Sequence, residues 1–372
     1  MVNVLFETVI VGAGLAGASC AAVLSQYSGV LVLDAALSDD SPEVPAVYTS
    51  ASSIGAGISS PLMSRRARPI FRMEAAVAAL DALRQTTGGA FLFSSSGILK
   101  LAGAADQADE FKDAADRWPD HGRWYSSDEC RNRWTNLNAP FGLIHVTSGF
   151  SVSIPAWCQK MIRFSVSKGA EYRPGCRMMD WRESATGIYV RYRDAMGEEH
   201  VVKTSRLVLA PGADYLRFPA LAALRLHPIK GQWVRISRPD TFSPDHPFTP
   251  LSGHGYLVDD GQSLMLGSTF EHGYTHLRTT RIDVRKMIQT ASNMVPDITQ
   301  SAILSSGAAI RVTVPGIRLP MVGPLQPKSR VWIISGLGAK GLLMAPLIAS
   351  ELLGYFEKPS SIPREFGVSY SV

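Results

Sequence analysis

The chain has 372 residues, 46% of them hydrophobic and 19% charged, which supplies a large core and suits two domains better than one. Its formal net charge is +5, but the surplus is scattered. The densest basic group is Arg65, Arg66 and Arg68, with no run of five or six Lys or Arg, which argues against a nucleic-acid binder.

Residues 6–11 (FETVIV) form a short β-branched apolar run that predicts a buried parallel strand. A glycine turn follows at 12–17 (GAGLAG), then a helix over 18–26 and a second strand over 30–33 (VLVL) that ends at Asp34. Residues 35–60, rich in Ser, Ala, Asp, Gly and Pro, read as loop. An amphipathic helix is predicted over 72–87, and a pair of strands around Ser-Gly over 91–101. Helices are predicted over 107–117, 127–133 and 155–168, with a strand beginning near Glu171. Residues 188–193, 199–203 and 207–209 read as strands, with a turn at Met196-Gly197. From 229 to 270 the pattern becomes strands and turns (GQWVRIS, GYLVDD, SLMLGSTF), a mostly antiparallel sheet. A helix over 284–295, a buried strand over 331–338 and an apolar helix over 342–356 complete the chain. Trp233 and Trp332 fall in strands and read as core.

No stretch reaches about 18 uninterrupted apolar residues, the length of a membrane-spanning helix, and the first residues lead into a strand without a leader pattern. The four cysteines (Cys20, Cys130, Cys158, Cys176) form no CxxC pair and have no histidine at metal spacing, so neither a disulfide framework nor a metal site is expected. The expectation is a cytoplasmic protein without a membrane partner.

The strongest motif is the G-x-G-x-x-G of Gly12, Gly14 and Gly17. It follows a predicted strand, opens a helix, and has Asp34 about 20 residues behind its first glycine. Gly12 permits the tight turn, Gly14 leaves room for a pyrophosphate, and Gly17 lets helix and strand pack closely. The helix N-terminus offers N–H groups and a positive dipole end to the phosphates. Asp34 suits ribose hydroxyls and disfavours a 2′-phosphate. Leu15 and Ala16 in the turn, and Ala35 beside the acid, join the cofactor-binding candidates. The fingerprint is present once, and further glycine-rich segments lie at 52–57, 210–212 and 336–341. A cofactor needing contacts that scattered is long, which favours FAD over NAD.

Strand–helix pieces at the start, near 206–212 and at the end, with strand-rich pieces between them, predict an α/β fold with an α+β second domain. A Rossmann-like FAD-binding domain is expected from 1–80, 150–215 and 305–372. A substrate-binding domain with a large, mostly antiparallel sheet is expected from 81–149 and 216–304.

Several segments together resemble the D-amino-acid oxidase (DAO) superfamily, the group that includes glycine oxidase, sarcosine oxidase and D-amino-acid dehydrogenases. They are VIVGAGLAGAS with VLVLD, RLVLAPGAD, GYLVDDGQSLMLGSTFE, GAAIRVTVPGIRLPMVG and SGLGAKGLLMAPLIASELL, spread over nearly the whole chain. ASSIGAGISSP together with SGLGAKGLLMAP is similar to the oxidase half of the bifunctional enzymes that modify the wobble uridine of tRNA; their methyltransferase half has no counterpart in this sequence.

The resemblance implies roles. Gly12, Gly14, Gly17 and Asp34 would hold the ADP part of FAD. Ser52, Ser53, Ala56, Gly57 and Ile58 would follow the ribityl chain and flavin edge. Met178 would meet adenine through its backbone, and Ala210, Pro211 and Gly212 would turn under the cofactor. Gly338, Ala339, Lys340, Gly341 and Leu342 would offer N–H groups to the flavin pyrimidine. Arg311 matches an arginine that pairs with the substrate carboxylate, and Tyr256 a tyrosine lining the pocket. Three positions depart from the family pattern. Pro315-Gly316-Ile317 stands where an Asp is common. No cysteine falls in the segment that attaches flavin covalently in sarcosine-type oxidases, so non-covalent FAD is expected. Met265 replaces a lysine used there in oxygen activation, which leaves a dehydrogenase open beside an oxidase.

The implied function is oxidation of the C–N bond of a small amino acid or carboxylate-bearing amine, by hydride transfer to flavin. Two alternatives stand beside it: a flavin oxidase of a modified nucleoside or larger carboxymethylamine, and a flavin-binding subunit of a larger complex. Arg311 would clamp the carboxylate bidentately or form a structural salt bridge. Tyr256 would hydrogen-bond the carboxylate or pack in its strand. Lys340 would sit near the flavin or face solvent. His254, His272 and His276 read as surface or pocket-lining residues rather than a general base.

Overall fold

A computed structural model describes residues 6–36, 50–89, 92–242 and 248–369. Two sheets organise the chain. In the first, Phe6–Val11 lies between Val30–Leu33 and Glu199–Leu209. Glu171–Arg173 extends it beyond Val30–Leu33, and Val331–Ser335 extends it beyond Glu199–Leu209; these four contacts are parallel. Met321–Pro324 closes that edge antiparallel, while Gly187–Arg193 and Arg177–Ser184 continue from the first half of Glu199–Leu209 as antiparallel strands.

The parallel strands read as continuous apolar runs because both faces are covered. Successive side chains alternate between two cores. Ile10, Val30, Val32, Val208 and Ile334 pack under the helices Leu15–Leu24, Met73–Thr86, Ile154–Ser167 and Gly341–Glu357. Val9, Leu31, Leu33, Leu207 and Ile333 pack on the opposite side, under Tyr215, Phe218 and Leu221. Helix Leu15–Leu24 has nine of its ten residues buried, so it lacks the polar stripe of a surface helix.

The second sheet runs in the order Ile303–Thr313, His227–Ser237, Ser263–Gly267, Gly255–Asp259, Leu251–Gly253, Ile98–Leu101, Leu143–Val146, Gly122–Tyr125. It is antiparallel except where Leu251–Gly253 meets Ile98–Leu101. Leu99, Leu101, Val234, Ile236, Leu257, Leu264 and Leu266 bury one face beneath helix Arg281–Ser292. The residues between them, Lys100, Trp233, Tyr256, Val258 and Met265, belong to the other face. Trp332 is buried core as expected; Trp233 is only partly buried, against Ala56, Val258 and Met265.

Four local expectations change. The strands in 92–101 are not paired with each other. Leu92–Ser94 pairs with Phe150–Val152 in a small sheet with Gly57–Ser59, while Ile98–Leu101 joins the large sheet. The reason lies at the corner: the Ser94 and Ser96 hydroxyls bond at 2.7 Å, and Gly97 has φ +85° with the His145 ring where a Cβ would stand. Within the expected 35–60 loop, residues 37–49 lie outside the described residues, and the remainder contains a 3-10 turn, Ala51–Ser53, and the strand Gly57–Ser59. Glu199–Leu209 is one strand rather than two, because polar Ser205 and Arg206 interrupt only its apolar pattern. Ile303–Thr313 hydrogen-bonds along the large antiparallel sheet, beyond the boundary drawn for it from sequence. Among the described residues, no helix is long and apolar enough to cross a membrane.

Candidate active site

A cavity of about 990 Å³ opens between the two sheets. The segments that follow four parallel strands, at 12–16, 34–36, 210–214 and 336–342, all line it. That is the carboxyl edge of an open α/β sheet, where ligands of such sheets bind.

At this edge the site is made of backbone. Gly12 has φ +98°, and a Cβ there would lie 2.4 Å from the Ala210 carbonyl oxygen. A Cβ on Gly17 would lie 1.8 Å from the Gly12 carbonyl oxygen, so Gly17 serves helix–strand packing and does not line the cavity. Gly14 is the N-cap of helix Leu15–Leu24 and provides no side-chain cap. The Leu15 N–H donates to Ser52 Oγ at 3.0 Å, which ties the 51–53 turn to the helix start. A Cβ on Gly57 would stand 2.6 Å from Ile154 Cδ1. Helix Gly341–Glu357 also begins on the cavity without a side-chain cap, behind Gly338 and Ala339. The two helices therefore turn two positive dipole ends toward one space. Burial holds the Asp34 carboxyl above its usual range, against the N–H groups of Ala36, Ala13 and Ala35, which pull it down.

At the other edge the site is made of side chains. Arg311 lines the cavity, donates from Nη2 to the Thr269 carbonyl oxygen at 2.7 Å, and stacks over Phe270 with 4.2 Å to the ring centroid. Its guanidinium occupies the space over Gly231, where a Cβ would lie 2.2 Å from Nη2. Among the described residues no carboxylate pairs with it. Burial lowers its pKa, with Tyr256 opposing, but a guanidinium stays protonated. Tyr256 lies across Gly267, and burial pushes its phenol up to about 12.

The cavity thus gathers the sequence-nominated residues from segments far apart in the chain. Two are exceptions to lining it: Gly17, and Lys340, whose ammonium donates to the Arg318 carbonyl oxygen at 2.7 Å. Neither His254, His272 nor His276 lines it; His272 instead stacks on His227 at 5.3 Å. Sequence reasoning missed Thr269 and Phe270 as the supports of Arg311. It also missed Lys100, which is buried and lines the cavity. A signal for Lys100 was present: it is the single charge in the strand ILKL, opposite in facing to Leu99 and Leu101.

The family model for DAO, described as FAD dependent oxidoreductase, matches residues 7–353. The chain belongs to this family, is an FAD-dependent oxidoreductase, and falls among enzymes that act on C–N bonds. The bifunctional tRNA 5-methylaminomethyl-2-thiouridine biosynthesis protein MnmC of Polaromonas naphthalenivorans is 29% identical over 93% of the chain. The chain spans 55% of that relative's length. Glycine oxidase of Geobacillus kaustophilus is 26% identical over 72% of the chain and 71% of the relative. The crystal structure of glycine oxidase from Geobacillus kaustophilus superposes with a TM-score of 0.79 at 22% identity, covering 99% of both chains. That of iminodiacetate oxidase from Chelativorans sp. BNC1 gives 0.77 at 21% identity, over 97% of this chain and 98% of the other. These two structures show the shared fold.

The residues present fit FAD. A glycine-rich helix start whose N-cap carries no side chain, an acid at the next strand end and a second helix start without a side-chain cap share one cavity.

Proposed function

We propose that this chain oxidises the C–N bond of an amine bearing a carboxylate, with Arg311 clamping that carboxylate. The observation that carries the reading is a half-buried guanidinium lining the cavity with no carboxylate partner among the described residues. A planar fork of donors in a water-poor site recognises a carboxylate bidentately.

In this reading, the turn at Gly12, Gly14, Leu15 and Ala16 takes the pyrophosphate, and Asp34 with Ala35 the adenosine ribose. Ser52, Ser53, Ala56, Gly57 and Ile58 flank the ribityl chain and flavin edge, Met178 the adenine, and Ala210–Gly212 the turn beneath. Gly338, Ala339, Gly341, Leu342 and the backbone of Lys340 would hold the pyrimidine end, where the positive end of the helix dipole would favour negative charge. When bound, the flavin accepts a hydride from the carbon beside the nitrogen. Arg311 fixes the carboxylate and thereby that carbon, which converts the encounter into a positioned one. Tyr256, held neutral by burial, donates a hydrogen bond to the same group. FAD is held non-covalently. Cys158 and Cys176 line the cavity, but burial pushes the Cys158 thiol up to about 12 and also raises Cys176, so neither offers a thiolate. The parallel sheet and its helices serve as the cofactor unit and the antiparallel sheet as the substrate unit.

A larger carboxymethylamine, including one carried on a modified nucleoside, is favoured over glycine itself by one observation. Ser60, Met63 and Gln107 also line the cavity, beyond the residues assigned to the cofactor and the carboxylate clamp.

The test is an anaerobic absorbance titration of the purified protein with glycine, sarcosine, D-alanine, D-proline and N-alkylglycines. Bleaching of the oxidised flavin bands by one class supports the reading, and reoxidation in air sorts oxidase from dehydrogenase. A flavin that no carboxylate-bearing amine reduces would overturn it.

A further inference from the structure

The register of the large sheet places a second cation on the cavity face. Lys100 is opposite Ser252, Ser252 opposite Tyr256, Tyr256 opposite Gly267, Gly267 opposite Trp233, and Trp233 opposite Gly307. Residues directly opposite share a face, and so do residues four apart on one strand. Arg311, four residues beyond Gly307, and Lys100 therefore point to the same side of the sheet and line the same cavity. They stand on different strands of that face. Five strand-to-strand steps separate their strands, roughly 24 Å of backbone at the usual strand spacing.

Lys100 is 8% exposed. Its ammonium donates to the Ser64 carbonyl oxygen and lies 5.8 Å from the Phe111 ring centroid. An ammonium has three donors, and one carbonyl leaves two of them. No carboxylate pairs with it among the described residues, and burial alone lowers its pKa to about 8. Buried cations are ordinarily paired, because an unpaired one costs several kcal/mol. Beside it, Gln107 donates from Nε2 to the Arg65 carbonyl oxygen, tying the turn that carries Ser64 and Arg65 to the cavity wall. The Arg65 side chain is exposed, lines the cavity, and has no carboxylate partner among the described residues. A lysine with free donors, backed by an arginine, is a seat for an anion.

We propose that the Lys100 region of the cavity is an anionic subsite: the substrate is an amine whose carboxylate meets Arg311 and whose other arm carries a phosphate or second carboxylate that meets Lys100 and Arg65. This rests on the proposed carboxylate clamp and narrows its substrate class. Glycine, sarcosine and other short amines reach only one of the two cations.

Binding and turnover test it separately, on the FAD-loaded full chain. ω-Phosphonoalkanoates and α,ω-dicarboxylates of graded length carry both anions and no amine, so they bind without being oxidised. Calorimetry is expected to show one length range binding at least tenfold more tightly than the matching monocarboxylates, as a charge-assisted hydrogen bond provides. That preference is lost in Lys100→Met, restored in large part in Lys100→Arg, and weakened a few-fold in Arg65→Gln. Arg65→Gln alters an exposed side chain and keeps the test open should Lys100→Met lose FAD. The better anion, phosphonate or carboxylate, identifies the natural group. Equal affinity for mono- and dianions at every length overturns the subsite, as does a preference untouched by all three variants. Anaerobic flavin reduction by uncharged N-alkylglycines reports on the C–N reading alone, so a working clamp with no second subsite is distinguishable from failure of both.

Discussion

The two walls of the cavity are built by opposite means. The wall along the parallel sheet is backbone: glycines at close approaches, two helix starts without side-chain caps, and a carboxylate held by three N–H groups. The wall along the antiparallel sheet is side chain: Arg311, Tyr256 and Lys100, projecting from one face of a single sheet whose strands are distant in sequence. Backbone walls suit a ligand that never varies, because the fold itself makes the contacts. Side-chain walls can be altered one residue at a time without moving a strand. Cofactor and substrate are divided between the walls accordingly.

The division is broken most severely from the backbone side. In Gly17→Val the new Cβ would overlap the Gly12 carbonyl oxygen, which neither the strand nor the helix can move to avoid. A loss of about 4 kcal/mol or more is expected, as for other severe core strain. The purified variant should be colourless or insoluble, and a yellow protein of normal melting temperature would show the close approach to be dispensable. Arg311→Ala tests the other wall. It should keep the flavin spectrum and thermal stability of FAD-loaded protein, yet lose roughly 30-fold or more in kcat/KM for carboxylate-bearing amines, the cost of removing one partner of a buried charged pair. Unchanged kinetics would remove the clamp. Loss of flavin would move Arg311 to the cofactor wall.

The same contrast explains what the sequence disclosed. Gly12, Gly14, Gly17 and Asp34 stand within one strand–turn–helix–strand unit, so spacing alone reports their geometry. The apolar runs at 6–11, 30–33 and 331–335 announced parallel strands because both of their faces are buried. Arg311 and Tyr256 were nominated only through resemblance, since neither has a local pattern that sets it apart. Lys100 was passed over because its meaning depends on the register of five other strands, and no window of sequence contains that register. Arg177–Ser184 escaped for a different reason. It is an edge strand with polar residues on its outer face, so its apolar alternation is faint.

Lys100 also sharpens the contrast through pH. Its pKa is lowered by burial from 10.5 to about 8, so the folded protein releases a proton that the unfolded chain keeps up to about pH 10.5. Between pH 8 and 10.5 the unfolded state binds more protons, and this group makes stability rise with pH. Below pH 8 the penalty for burying the charge is fully present, on the order of 3 kcal/mol. Lys100→Met removes it and forfeits about 1 kcal/mol of hydrogen bonding to Ser64. The variant should therefore be more stable than the parent at pH 7 by about 2 kcal/mol, with the advantage shrinking toward pH 10. Denaturant titrations at the two pH values measure the difference directly. A variant less stable at pH 7 would mean that the ammonium is paired in solution, and the anionic subsite would then be filled by the protein itself.

The smallest effect belongs to Tyr256. Tyr256→Phe removes one hydroxyl and keeps the ring across Gly267, so the fold and flavin content should be unchanged. The loss in kcat/KM should be about fivefold, the net value of one hydrogen bond. The informative quantity is the shape of the pH profile rather than the size of the loss. A phenol pushed up to about 12 stays protonated through the working range, so it acts as a donor and not as a base. Parent and Tyr256→Phe profiles should then run parallel from pH 6 to 10. If the substitution abolishes an ionisation near pH 9 to 10, the phenol gives up its proton during turnover. Tyr256 would then be the base that takes the amine proton, and the side-chain wall would carry chemistry as well as recognition.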